Sequence, residues 1–145
     1  VALQNIGGIR AVLTRGTITR SEVFDVNPFH NTLVKMNLTG MQLKELLGRR
    51  VIAVSGLRVA WDLTRRPNLL VSATLINGQP ILDSAIYTVV VNDFMAAGGD
   101  GLLGLTQGAS SRDTGILLRD AIASYLKKHP VVSAATDGRV TIRTR

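Results

Sequence analysis

Apolar positions along the chain recur with two different periods, and the changes between them predict a series of short strands and helices. Residues 31–38 alternate between apolar and polar side chains, which is typical of a half-buried strand. Leu43, Leu46 and Leu47 instead recur at the spacing of one helix face. They predict a helix over residues 40–50, with Thr39 as its N-cap.

Two further helices are predicted, one before the strand at residues 31–38 and one after the helix at residues 40–50. Thr19 and Glu22 have the spacing of a capping box, which starts a short helix that ends at Val26. The clearest helical period covers residues 113–128, and Pro130 ends it. Its apolar positions are Ile116, Leu117, Ala121, Tyr125 and Leu126.

The other apolar runs predict strands. They cover residues 1–4, 51–54, 57–62, 69–76, 81–91 and 138–142. The two runs that flank Asn77-Gly78 have the turn signal of a hairpin. Strands outnumber helices and do not alternate with them strictly. The sequence therefore predicts an α+β fold, a single domain with mixed sheets and flanking helices.

Composition narrows the class of protein. The 145 residues are 46% apolar, which is enough for one domain with its own core. No apolar run is long enough to span a membrane. The chain has no cysteine, which excludes disulfides and thiolate metal sites. Its two histidines are too few for a site that holds two metal ions, so we expect no metal and no cofactor within this chain.

The net charge of +7 raises the possibility of a nucleic-acid partner. A nucleic-acid surface clusters its basic residues on one face, with aromatic residues between them. Here the basic residues are scattered, often as pairs such as Arg49-Arg50 and Lys127-Lys128. We therefore expect no nucleic-acid partner, although a positive field favours anionic ligands in general.

Two phenylalanines lie in turn-like, polar contexts. Phe29 follows Pro28, whose ring fixes the backbone and makes a rigid corner. Phe94 follows a predicted strand and precedes a glycine-rich turn that ends in Asp100. An aromatic face near a fixed acceptor suits a base and its sugar. The alternatives are a core role for Phe94 and a turn-stabilising role for Asp100. Phe24 is predicted to be a core residue.

A third segment pairs Gly7-Gly8 with Arg10, so that the backbone can approach a ligand beside a guanidinium donor. Together the segments resemble the C-terminal, substrate-binding domain of the 5'-nucleotidase family, and they follow the family order over residues 5–101. The matching pieces are Asn5-x-Gly7-Gly8-Ile9-Arg10, Gly16-x-Ile18-Thr19, Pro28-Phe29-x-Asn31, Leu38-Thr39-Gly40 and Asn92-x-Phe94-x-Ala96-x-Gly98-Gly99-Asp100-Gly101.

The resemblance implies a binding site for a nucleoside or nucleotide. Phe29 and Phe94 would hold the base between their rings, and Asp100 would accept hydrogen bonds from the ribose hydroxyls. Arg10 would reach ribose or phosphate oxygens. Asn5 and Asn31 would touch the base or the sugar, and Gly98 and Gly99 would complete the substrate-binding residues that the resemblance implies. His30 stands where the family commonly has a small residue between the phenylalanine and the asparagine.

The resemblance also implies a division of labour within a larger enzyme. An N-terminal metallophosphoesterase domain would hold two divalent metal ions and hydrolyse nucleotide phosphate esters. Residues 1–145 would be the substrate-binding domain, truncated at its N-terminus and without catalytic residues. The family resemblance places such a protein in the periplasm, at the cell surface or in the secreted fraction. Two alternatives stay open: a hydrolase of this architecture with a non-nucleotide substrate, such as a thiosulfohydrolase, and a non-catalytic binding domain.

Overall fold

The computed structural model describes residues 1–133 and 136–145, and within them the chain forms two mixed sheets with flanking helices. The strands are β1 (Ala2–Gln4), β2 (Thr32–Thr39), β3 (Ala53–Ser55), β4 (Leu57–Asp62), β5 (Leu70–Leu75), β6 (Ile86–Asn92), β7 (Ala109–Leu117) and β8 (Val140–Arg143). The helices are α1 (Arg20–Val26), α2 (Gly40–Arg49), α3 (Asp93–Ala96) and α4 (Leu118–Lys128). The predicted α+β class is confirmed.

The larger sheet has the strand order β3-β1-β6-β2-β7, and the smaller sheet has the order β5-β4-β8. In the larger sheet β1 and β6 run parallel, whereas the other neighbouring strands run antiparallel. In the smaller sheet β8 runs parallel to β4, and β5 runs antiparallel to it. Short 3-10 turns follow β1 and α3.

One hydrophobic core joins both sheets to α2. Leu43 and Leu47 of α2 are fully buried, as the helical spacing of the leucines predicts. Val89 and Val91 contribute from the larger sheet. Trp61 contributes from the smaller sheet, and its indole Nε1 donates a 2.7 Å hydrogen bond to the carbonyl of Leu47. Both sheets therefore share one core with α2.

The predicted capping box at α1 and the predicted N-cap Thr39 of α2 are both confirmed. The Thr19 N–H donates to Glu22 Oε2 at 2.7 Å, and the Glu22 N–H donates back to Thr19 Oγ1 at 3.3 Å. Thr39 and Gln42 repeat the same exchange at the start of α2. The hydrogen bonds from the Thr19 backbone and hydroxyl lower the pKa of Glu22, because they favour its charged form.

The helix predicted over residues 113–128 begins five residues later than expected, at Leu118. Residues 113–117 belong to β7, which pairs with β2. Gly115 has a φ of 69°, a left-handed conformation that a helix cannot contain. The apolar pair Ile116 and Leu117 fits a strand end as well as a helix, so the period alone did not separate the two.

The hairpin predicted from residues 69–76 and 81–91 is also wrong, apart from its turn. The Leu75 N–H donates to the carbonyl of Gln79, and a single bridge joins Thr74 to Pro80. Proline has no N–H to continue the ladder. The second strand therefore begins only at Ile86 and pairs with β1 and β2, whereas β5 pairs with β4.

Phe24, predicted to be a core residue, is 47% exposed on α1. Its ring lies against α4, where the guanidinium carbon of Arg119 is 5.5 Å from the ring centroid. That contact is a cation–π interaction. Among the described residues, the chain has no helix that is both long and apolar enough to cross a bilayer.

Candidate functional site

The segments that carry the candidate residues meet at one end of the larger sheet. Because β1 and β6 run parallel, both end on the same side, with Asn5 following β1 and Phe94 following β6. The antiparallel strand β2 starts on that side, and its Leu33 lies opposite Asn92. Phe29 precedes β2, so both aromatic residues lie at this end of the sheet.

A hydrogen bond ties the two aromatic segments together. Asn31 Nδ2 donates to Asp93 Oδ1 at 2.6 Å, and the same oxygen accepts the backbone N–H of Phe94 at 2.8 Å. The corner that carries Phe29 is therefore fixed to the first turn of α3. Phe29 is 41% exposed and Phe94 is 47% exposed, so the core alternative for Phe94 is wrong. Both rings are available to a ligand.

The glycine-rich turn passes directly against the Phe94 ring. A Cβ atom added to Gly99 would lie 2.5 Å from Cε1 of that ring, which is closer than any side chain allows. Gly98 has a φ of 86°, in the left-handed region that favours glycine. The two glycines thus let the chain turn under the ring and lead on to Asp100.

Asp100 is held by hydrogen bonds to its side-chain carboxylate and to its backbone carbonyl. Asn5 Nδ2 donates to Asp100 Oδ2 at 2.8 Å. Arg50 Nη1 donates to the Asp100 carbonyl at 3.0 Å, and Arg50 Nη2 lies 4.0 Å from Asp100 Oδ1. The N–H of Leu102 donates to the Gly99 carbonyl and not to the carboxylate, so Asp100 makes no Asx turn there. The side chain is 26% exposed, and within the described residues Oδ2 accepts a hydrogen bond whereas Oδ1 accepts none.

Asn92 fixes the direction in which the Asn5 amide points. Asn92 Oδ1 accepts the backbone N–H of Met95 at 2.7 Å, as the N-cap of α3. Its Nδ2 must then face the other way, and it donates to Asn5 Oδ1 at 3.0 Å and to Gln4 Oε1 at 3.1 Å. With its oxygen engaged, Asn5 turns its own Nδ2 to Asp100. The backbone N–H of Met95 thus sets the orientation of both the Asn92 amide and the Asn5 amide.

The Gly7-Gly8 loop is joined to the end of α1. Asn27 Nδ2 donates to the Gly8 carbonyl at 3.1 Å, and the Arg10 N–H donates to the Val26 carbonyl at 2.9 Å. The Arg10 side chain is exposed, with one long hydrogen bond of 3.4 Å to the Gly7 carbonyl. Its guanidinium therefore keeps most of its donors for a ligand.

Sequence reasoning did not assign roles to Asn92, Asp93 or Arg50. Asn92 carried a local signal, since Asn before a helix is a preferred N-cap. Asp93 carried none that distinguished it from an ordinary first-turn carboxylate. Arg50 lies 50 residues from Asp100, so only the fold brings the two together.

A groove beside this site shares part of its amide network. The groove has a volume of about 350 Å³, and its lining includes Gln4, Asn92, Val90, Leu118 and Ile122. It does not include Phe29, Phe94 or Asp100, and its lining is mostly apolar. In the part of the chain that the structure describes, no group of three or more His, Asp or Glu residues is placed to hold a metal ion.

Comparison with known proteins identifies the same family as the sequence motifs. A family model described as "5'-nucleotidase, C-terminal domain" matches residues 1–107. The solved structure of a 5'-nucleotidase precursor from Thermus thermophilus superposes with a TM-score of 0.93 and 39% sequence identity. That match covers 99% of this chain and 31% of the other.

Two further relatives are similar over nearly the whole chain. The NAD nucleotidase of Haemophilus influenzae superposes with a TM-score of 0.89 and 25% identity, covering 99% of this chain and 30% of the other. A trifunctional nucleotide phosphoesterase protein of Bacillus subtilis is 34% identical over 156 aligned positions, covering 97% of this chain and 11% of its own length. The chain therefore spans a third or less of each of these relatives.

Proposed function

The chain belongs to the 5'-nucleotidase family as its C-terminal domain, and from that premise we propose that it recognises the nucleoside part of a nucleotide within a larger metal-dependent nucleotidase. The observation that carries the proposal is the arrangement at the sheet end. Phe29 and Phe94 are exposed there, on segments joined by the hydrogen bond from Asn31 to Asp93. Asp100 lies in the glycine-rich turn that follows α3 and packs against the Phe94 ring.

The chemistry of these groups suits a nucleoside. An aromatic ring stacked on a base contributes about 1–3 kcal/mol, so two rings would supply a large part of the roughly 8 kcal/mol of a micromolar complex. Stacking accepts any base, which fits a broad substrate range. Asp100 would accept hydrogen bonds from ribose hydroxyls, and a charged acceptor makes such bonds stronger than neutral ones.

The other candidate residues take supporting roles in the proposal. Arg10 would meet ribose or phosphate oxygens with its exposed guanidinium. Asn31 would orient the Phe29 corner beside the base, and Asn5 would hold the Asp100 carboxylate toward the sugar. Gly98 and Gly99 would let the turn pass close to the base-binding ring. The net charge of +7 would speed the arrival of anionic nucleotides.

The rest of the proposed enzyme would perform the chemistry. Residues 1–145 would form its substrate-binding domain, and an N-terminal catalytic domain with two divalent metal ions would hydrolyse the phosphate ester. The lengths of the relatives support this division, since the chain spans 31% and 30% of the two solved structures. We also propose that the protein works outside the cytoplasm, which fractionation of the source cells would test.

A binding titration tests the proposal on this chain. Isothermal titration with adenosine and with AMP should give saturable binding, which Phe29→Ala or Phe94→Ala should weaken about tenfold or more through lost stacking. Phe24→Ala is the matched control, because Phe24 is also an exposed phenylalanine but lies on α1. Equal affinity of the Phe94→Ala and Phe24→Ala variants would contradict the proposal. Preferential binding of a sulfur oxyanion would favour the thiosulfohydrolase alternative.

A further inference from the structure

The backbone conformation of Asp100 is unusual for a residue other than glycine, although aspartate adopts it more readily than most. Its φ of 58° and ψ of 20° lie in the left-handed region, which costs a residue with a Cβ about 1–2 kcal/mol. The flanking Gly99 and Gly101 offer no side chain that could hold the turn. Its support comes instead from Asn5 on the carboxylate and Arg50 on the carbonyl.

Arg50 reaches this turn from the end of α2. It follows α2 with an extended backbone, at φ −155° and ψ 148°. The guanidinium donates from Nη1 to the Asp100 carbonyl at 3.0 Å. Its neighbour Arg49, at the same helix end, has no hydrogen bond or ion pair to the described residues of this turn.

The second arm of the guanidinium leaves a gap that fits a hydroxyl group. Arg50 Nη2 and Asp100 Oδ1 are 4.0 Å apart, too far for a direct hydrogen bond. One oxygen atom about 2.8 Å from each would bridge them. A hydroxyl both donates and accepts, so it would donate to Oδ1 and accept from Nη2. Asn5 already occupies Oδ2, which directs the hydroxyl to Oδ1.

We infer that Arg50 determines the specificity of this domain for ribose hydroxyls: it positions the Asp100 turn and shares one hydroxyl with the Asp100 carboxylate. The inference rests on the proposed function, because it takes a nucleoside as the ligand. It makes Arg50 part of sugar recognition and gives it no contact with the base or the phosphate.

The experiment compares adenosine with 2',3'-dideoxyadenosine on the full chain by titration. The parent should prefer adenosine by about tenfold or more, since it loses charge-assisted hydrogen bonds with the dideoxy compound. Arg50→Gln should reduce that preference to about threefold or less and leave the affinity for the dideoxy compound within about twofold of the parent. Arg50→Lys should give an intermediate preference, because a lysine ammonium cannot hold both oxygens in one plane.

Matched controls separate this role from others. Arg49→Gln removes the same charge from the same helix end and should leave the preference unchanged. Melting temperatures should agree within about 2 °C between parent and variants, since Arg50 is a half-exposed side chain with one backbone contact. AMP should lose affinity by the same factor as adenosine; a loss confined to AMP would mean a phosphate contact and overturn the inference.

The remaining outcomes distinguish the two proposals. If the parent binds adenosine and Arg50→Gln keeps its preference for ribose, the role of Arg50 is overturned and the proposed function stands. If Arg50→Gln weakens both nucleosides equally, Arg50 has no selective role and the inference is again overturned. If the parent binds no nucleoside at all, the proposed function and the inference fall together.

Discussion

The orientation of the Asn5 amide depends on Asn92, and the substitution Asn92→Asp tests that dependence. The introduced carboxylate keeps an oxygen for the Met95 N–H, so the cap of α3 is preserved. The two hydrogen bonds that Asn92 Nδ2 donates, to Asn5 and to Gln4, are lost. An acceptor then faces an acceptor either here or, once the Asn5 amide rotates, at Asp100. Asn92 is only 2% exposed, so water cannot replace the lost hydrogen bonds.

The loss in free energy of unfolding expected for Asn92→Asp follows from these contacts. Each lost hydrogen bond costs about 1 kcal/mol, and a buried acceptor left without a donor adds about 1–3 kcal/mol. We expect Asn92→Asp to lower the free energy of unfolding by about 3 kcal/mol at pH 7. That corresponds to a fall in melting temperature of about 6–12 °C for a domain of this size. Urea titration followed by the fluorescence of buried Trp61 measures it directly.

The same substitution should act on the site. Asn5 would rotate its amide toward the introduced carboxylate and turn Oδ1 to Asp100, where two acceptors would then repel each other. Affinity for adenosine should fall about tenfold, with little change for 2',3'-dideoxyadenosine. Burial raises the pKa of the introduced carboxyl. Because its folded-state pKa would lie above the unfolded value, the loss of stability should shrink as pH falls through it.

The control for this prediction is Asn77→Asp, which places the same change in an exposed turn. It should alter stability by no more than about 0.5 kcal/mol. If Asn92→Asp were as mild as Asn77→Asp and kept its preference for ribose, the amide network would not orient Asp100.

Further predictions concern the glycine turn and the first capping box. Gly99→Ala should push the Phe94 ring aside and weaken adenosine binding about as much as Phe94→Ala, whereas Gly104→Ala, which has open space for a Cβ, should leave binding unchanged; unaltered affinity of Gly99→Ala would refute the contact. Glu22→Gln should lower the melting temperature at pH 7. Because the pKa of Glu22 is lowered in the fold by the Thr19 hydrogen bonds, that difference should shrink as pH falls below the ordinary glutamate pKa and vanish once Glu22 is protonated in the fold; a difference independent of pH would contradict it.

Local signals in the sequence predicted the parts of the fold that depend on neighbouring residues. Thr19 and Thr39 start their helices where the capping pattern places them, because a cap is made within one helical turn. The strand-to-helix boundary at Leu118 was missed because pairing with β2 decides it, and that partner lies about 80 residues earlier. The hairpin after β5 failed for the same reason, since β6 finds its partners in β1 and β2.

The candidate site also has residues that local sequence signals predicted and residues that only the fold brings together. Phe29, Phe94 and Asp100 stood out because proline or glycine beside a functional group is visible in the sequence itself. Phe24 was misjudged because its burial depends on how α1 packs on α4, and this packing leaves the ring half exposed. Arg50 had no local signal, and the amide network through Asn92 depends on β1 and β6 lying side by side.

The central claim is that Phe29 and Phe94 hold one base between them. The most direct measurement is the set of intermolecular NOEs from the adenine protons of bound adenosine to the aromatic side chains of the chain. The account predicts NOEs from both Phe29 and Phe94 and none from Phe24. Adenine NOEs that reach only one of the two rings, or that go instead to Phe24, would contradict it.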